Sequence, residues 1–254
     1  MNCKPLHKYL CKKDIPDARD FKPHKFHLVA PFNLPPAVDL RQKIQVPIYN
    51  QGDLGSCTAN AIGFAHQYQQ KFQKENDFIP SRLFIYYLER KLEGTVGEDS
   101  GAQIRDGFKV LRQFGVCPET MWPYDVCNFT TEPTQDCYDA AAKCESLNYF
   151  SLLNSTTMLK QCLAAGFPFV CGIDVYESFE SREVGATGVI PMPGDGEECL
   201  GGHAVAFVGY DDVSQTFILR NSWGEDWGQA GYGLLPYAYL PSYGSDFWTL
   251  RLVE

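Results

Sequence analysis

No stretch of this 254-residue chain stays apolar for the ~20 residues that a helix needs to cross a bilayer, so no membrane partner is expected. Its first residues, MNCKPLHKYLCKKDIPDARD, hold no hydrophobic segment of the signal-peptide kind. The expectation is an intracellular compartment, or a secreted or lysosome-like one if a leader was removed. Positive charge is scarce too: 22 Lys and Arg stand against 31 Asp and Glu, a net of −9. That argues against nucleic acid as a partner, since such binding needs a basic face. Neither a CxxC pair nor a Cys/His pair at zinc spacing occurs among the ten cysteines, and no metal or cofactor is expected. Internal repeats and low-complexity tracts are also missing. What is present is an ordinary globular composition, 44% hydrophobic and 21% charged, with enough chain for one large domain or two small ones.

The cysteine count pulls the other way, towards an oxidised, disulfide-linked chain. Cys127, Cys137 and Cys144 form the only loose cluster, and a disulfide there is one of two open readings. Residues 1–37 carry Pro5, Pro16, Pro23, Pro31, Pro35 and Pro36, a density of breakers that forbids long helices. Phe21, Phe26, Leu28, Val29 and Phe32 are too apolar for a freely solvated tail, so this segment reads as an arm docked on the rest. Beyond it, Ala61, Ala65, Tyr68 and Phe72 recur at four, three and four residues, one stripe of an amphipathic helix over 57–74. Two more helices are predicted, over 81–93 with Ser81 as cap and over 104–114 ending at Gly115. The later half changes character. FPFVCGIDV, HAVAFVGY, TFILRNSW, GYGLLPY and DFWTLRLV are short, β-prone and separated by turn residues. The pattern predicts an α+β protein with a helical lobe at about 48–145, a β lobe at about 146–254, and a cleft between them.

One turn stands out. QGDLGSC delivers Cys57 to the start of the first helix, where free N–H groups and the positive end of the dipole stabilise an anion. A thiolate there should have a depressed pKa, although a small core cysteine would also fit. A nucleophile needs a base. His66 lies nine residues along the same helix, too far away, and His7, His24 and His27 belong to the arm. His203, in CLGGHAVAFVGY, heads a strand at the rim of the cleft. Asn221, in RNSWGEDWG, should accept its Nδ1–H and fix the ring, with Trp223 shielding that bond. Gln51, six residues before Cys57, should help the Cys57 N–H hold an oxyanion.

Taken together, QGxxGSC, the glycine-flanked histidine before AVAFVGY, and NSWGxxWGxxGYG resemble the papain family of cysteine proteases from about Leu34 onward. The resemblance implies a papain-like fold, with a helical left lobe and an antiparallel β-barrel right lobe. It also implies cleavage of peptide or protein substrates through a thioester. The implied nucleophile is Cys57, the base His203, the orienting residue Asn221 and the oxyanion donor Gln51. GEDSGAQIRDG occupies the place of the substrate-pairing segment, with Ser100 and Gly101 as binding residues beside Gly202 and Trp223. PPAVDLR resembles the start of a mature enzyme, which makes residues 1–37 a short propeptide and possible inhibitor of a monomeric endopeptidase, like those of some bacterial-type members. Cys3 or Cys11 would be able to tether it. Thr58 replaces a common tryptophan, Leu54 a common disulfide cysteine, and Gly202 a common Asp or Asn. Two other readings stay open: a catalytically silent peptide-binding protein, and a transpeptidase or amide transferase on the same scaffold.

Overall fold

Three helices carry the first half of the chain: α1 (Cys57–Gln73), α2 (Arg82–Glu93) and α3 (Ile104–Phe114). They appear in a computed structural model that describes residues 7–17, 20, 33–75, 77–144 and 147–252. Their limits follow local chemistry. The Ser81 hydroxyl accepts the Phe84 N–H at 3.1 Å and caps α2, just after Pro80. α2 and α3 close on Gly94 and Gly115, both at positive φ. The apolar stripe on α1 is real, yet the helix is no surface element, because every residue from Cys57 to Gln70 is buried. Three of its polar side chains are matched inside the protein: Thr58 donates to Glu89 at 2.8 Å, Asn60 donates to the Ser56 carbonyl at 2.9 Å, and Gln67 accepts from the Tyr49 hydroxyl at 2.6 Å.

The later half is a single antiparallel sheet. β2 (Leu147–Ser151), β3 (Phe169–Tyr176), β4 (Cys199–Asp211), β5 (Thr216–Arg220), β6 (Tyr232–Pro236) and β7 (Gly244–Leu252) lie in the order β2-β7-β3-β4-β5-β6. β1 (Ala37–Asp39) adds to β4, with Ala37 opposite Asp211. Four short helices complete the fold: α4 (Gln135–Ala141), α5 (Thr156–Ala164), α6 (Arg182–Thr187) and α7 (Tyr239–Tyr243). None was anticipated, because so few turns give periodicity no room to show. The sheet core is aromatic, with Phe169 of β3 stacked on Phe207 of β4 at 4.9 Å. Trp248 of β7 welds the two halves: it packs on Tyr149 of β2 at 5.6 Å and on Phe108 of α3 at 6.3 Å.

Eight of the ten cysteines are described as free thiols, among them exposed Cys127 and buried Cys137, so the expected cluster is not bridged between those two. Cys137 instead lies beside buried Cys117, whose thiol is pushed up to about 12, chiefly by burial. The arm residues Cys3, Phe21, Phe26, Leu28, Val29 and Phe32 lie outside the described residues.

Burial has one titratable consequence on α1. His66 is 1% exposed and its Nδ1 has no partner, so desolvation pushes its pKa down from 6.5 to about 4. The folded protein keeps the ring neutral, whereas the unfolded chain takes up a proton first. This contribution is therefore full above 6.5 and is lost as pH falls towards 4, up to about 3 kcal/mol. Denaturant unfolding near pH 7 and near pH 4.5 should show His66→Gln losing about 2 kcal/mol less on acidification than the wild type. Parallel losses in the two proteins would refute the neutral buried ring.

Candidate active site

The turn before α1 is held from outside itself. The Gly55 N–H donates to the Asp99 carboxylate at 3.0 Å, and the Tyr86 hydroxyl donates to the same group at 2.6 Å. This clamps the chain as it enters the helix and leaves Cys57 as the first helical residue, with no exposed surface. Ser56, a residue type suited to capping at the N-cap position, does not cap with its side chain. Its hydroxyl is drawn into a short hydrogen bond with the Tyr124 hydroxyl, and its carbonyl takes the Asn60 N–H at 3.1 Å. The N–H groups of the first turn therefore stay available near the sulfur.

His203 belongs to β4, and the β4–β5 pairing, with Ala206 opposite Arg220, brings Asn221 alongside it. The expectation placed the Asn221 oxygen on Nδ1. The structure corrects this: Nε2 makes that bond, at 2.8 Å. Asn221 Oδ1 also accepts the Ser222 N–H at 2.9 Å, which fixes it as the oxygen and puts the ring proton on Nε2. Nδ1 has no hydrogen-bond partner and is left for the neighbouring Cys57 sulfur. The reversal follows from the site's layout: the amide sits on the β side of the ring and the thiol on the helix side, so each takes the nearer nitrogen. Cys57 is held well below the usual thiol range by a hydrogen bond from Cys11 and by neighbouring His203, which together outweigh its burial.

Gln51 is buried and doubly anchored. Its Nε2 donates one hydrogen to the Leu54 carbonyl at 3.0 Å, and its Oε1 accepts the Ser222 hydroxyl at 2.7 Å. Nε2 has a second hydrogen with which to meet a ligand. Ser222 was not singled out in the sequence, although it lies within the same NSW motif; its role appears only when residues 171 positions apart meet. Trp223 lies over the His203 ring at 5.0 Å and is backed by Phe179 and Trp227 at 5.7 and 5.4 Å.

Residues 7–17 thread the cleft. His7 stacks on Trp223 at 4.0 Å, and Tyr9 donates to Glu180. The Cys11 N–H donates to the Gly202 carbonyl and the Lys12 N–H to the Ala102 carbonyl, both at 3.0 Å. Lys8, Lys12 and Lys13 pair with Asp99, Glu93 and Asp174. Gly202 thus contacts the arm as a strand would. Gly101 contributes space instead of a hydrogen bond to it: at φ 66°, a Cβ here would overlap the Leu10 carbonyl. Ser100 meets the Lys12 ammonium at 3.4 Å. Cys57, His203, Asn221 and Gln51 are brought together, and Ser100, Gly101, Gly202 and Trp223 line the arm's track. Among the described residues no cluster of side chains is fit to hold a metal ion.

Similarity to known proteins covers most of the chain. The family model described as "Papain family cysteine protease" matches residues 34–238. An uncharacterised peptidase C1-like protein of Acanthamoeba polyphaga mimivirus is 42% identical over 95% of this chain and 84% of its own length. Cathepsin K of Mus musculus is 31% identical over 80% of this chain, which spans 60% of that protein. Among solved structures, xylellain, a cysteine protease from Xylella fastidiosa, superposes with a TM-score of 0.88 at 41% identity, covering 100% of this chain and 99% of that one.

The crowded contact at Gly101 makes the seated arm testable. Gly101→Ala should push Leu10 out of the cleft and raise the rate of iodoacetamide labelling at Cys57 by about tenfold, as local opening is made easier. Peptide mass spectrometry would follow that rate, with near-ultraviolet circular dichroism as the check on folding. An unchanged rate would mean that the arm does not cover the thiol in solution.

Proposed function

The chain belongs to the papain family of cysteine proteases, and on that premise we propose that it is an endopeptidase made as a zymogen, with its N-terminal arm as the inhibitor. Cysteine peptidase activity is the family's chemistry; the residue roles, the endopeptidase mode and the arm's function are our reading. The observation that carries it is the Cys57–His203–Asn221 chain of contacts, in which the Nε2–Oδ1 bond of 2.8 Å leaves Nδ1 for the sulfur.

In this reading the Cys57 thiolate attacks the scissile carbonyl carbon. The developing oxyanion is met by the free Gln51 Nε2–H and the Cys57 backbone N–H. His203, protonated at Nδ1, gives that proton to the leaving amine, and the acyl group remains on sulfur as a thioester. Nδ1 then takes a proton from water, whose oxygen attacks the thioester and releases the acid. Asn221 holds the ring so that Nδ1 faces the sulfur throughout. The tracks at Gly202 and Ala102 offer backbone carbonyls to an extended peptide, as they do to the arm.

The arm supports the endopeptidase mode. It enters beside Trp223 and leaves past Trp248, whose indole N–H donates to Asp14 at 2.8 Å, so an extended chain lies across the site and runs past it on both sides. It also supports the zymogen reading, because Cys57 is fully covered while the arm is seated.

Hydrolysis of internally quenched peptides should separate these roles. A chain beginning at Leu34 should turn over at least about tenfold faster than the full chain, and Cys57→Ala in that shortened chain should lose about 10⁴-fold or more. Asn221→Ala should lose less than His203→Ala. Persistent hydrolysis without Cys57 would overturn the assignment, and equal rates for the two chain lengths would remove the arm's inhibitory role.

A further inference from the structure

Arm residue Cys11 contacts the proposed nucleophile itself. Its backbone is pinned on both sides of the cleft: Leu10 bridges to Gly202, Lys12 bridges to Gln103, and the Cys11 N–H donates to the Gly202 carbonyl at 3.0 Å. The Cys11 sulfur lies against Gly172 of β3, where an added Cβ would sit 3.5 Å from it in ordinary contact. The thiols of Cys11 and Cys57 are close neighbours, each the strongest influence on the other's ionisation. The other described cysteines are buried elsewhere in the fold or, like Cys127 and Cys199, exposed on the surface.

We propose that Cys11 and Cys57 form a reversible disulfide under peroxide, a covalent lock of the arm onto the active site. The proposal rests on the peptidase reading only in taking Cys57 as the reactive thiol. When the arm lifts, the Cys57 thiolate attacks one oxygen of hydrogen peroxide; the O–O bond breaks, hydroxide leaves, and Cys57 becomes a sulfenic acid. When the arm returns, the Cys11 sulfur attacks the Cys57 sulfur. The S–S bond forms, the S–O bond breaks, and the departing hydroxide takes the Cys11 proton as water. Two thiols thus lose two electrons to one peroxide, and two waters result.

The electrostatics suit these roles. Cys11 is held well above the usual thiol range, first by its hydrogen bond to Cys57, with burial and the Cys57 charge adding to it. Converting that anion to a neutral sulfenic acid removes the charge that opposes Cys11 ionisation, so the resolving thiol is released for attack after the first step. The same return protects the nucleophile, because a sulfenic acid left unresolved proceeds to the irreversible sulfinic acid.

The test uses the full chain, reduced, treated with a small excess of hydrogen peroxide, blocked with iodoacetamide in denaturant and digested without reductant. The expected result is a peptide pair joining Cys11 to Cys57, an intact mass lower by two hydrogens, and return of the free Cys57 thiol on adding dithiothreitol. In Cys11→Ser, Cys57 should instead reach the sulfinic acid, with about tenfold less thiol recovered. Cys57 joined to another cysteine in the wild type, or equal recovery in the two proteins, would overturn the proposal. The readout is mass and needs no turnover, so a chain that forms this bond yet cleaves no peptide loses the peptidase reading and keeps the lock.

Discussion

The contact between Cys57 and His203 is the constraint on which the structure turns. The thiol stands on the first turn of a central helix, and the imidazole on the longest strand of the sheet. Neither half of the chain contains the pair. It exists only while α1 packs against β4, so the aromatic weld of Trp248, Tyr149 and Phe108 bears on the chemistry proposed for that distant pair. Burying α1 on every side commits it to that position. The polar residues it carries, with partners found for Thr58, Asn60 and Gln67, accompany a helix that packs against both halves.

Much of this was legible in the amino-acid order. Local rules gave the helices: Pro80-Ser81 opens α2, Gly115 ends α3, and the alanine–aromatic stripe marks α1. The alternation of short apolar runs and turns gave the later strands. The cysteine, histidine and asparagine were legible through motifs long enough to be specific. What stayed hidden was whatever depends on meetings between distant residues. Ser56 looks like a cap until Tyr124, 68 positions on, takes its hydroxyl. Ser222 means little until it meets Gln51, and Asp99 is one more acid until Gly55 rests on it. The choice of ring nitrogen at His203 was out of reach for the same reason, since both tautomers fit the order of residues and only the relative placement of helix and sheet distinguishes them.

The arm shows how a few residues without regular structure can be held well. Its backbone borrows carbonyls at Gly202 and Ala102, and its three lysines find carboxylates on the surrounding walls. Two of those pairs, from Lys8 and Lys13, are solvent-exposed on the lysine side and add little each; the backbone bonds and the stacking of His7 on Trp223 set the register. A basic stretch lying in acidic surroundings is a sensible division of charge for a chain whose total is −9.

Asp99 carries a last implication. It takes the Lys8 ammonium from the arm, yet its bonds to Gly55 and Tyr86 come from the body of the protein. Gln51, Ser222 and Asn221 likewise lean on one another and on Leu54. These supports of the proposed reactive centre therefore do not depend on the arm, although the Cys57 thiolate itself leans on Cys11. On the reading proposed above, unmasking leaves that scaffold as it stands, and the work of switching on is set by how firmly one short strip of chain adheres.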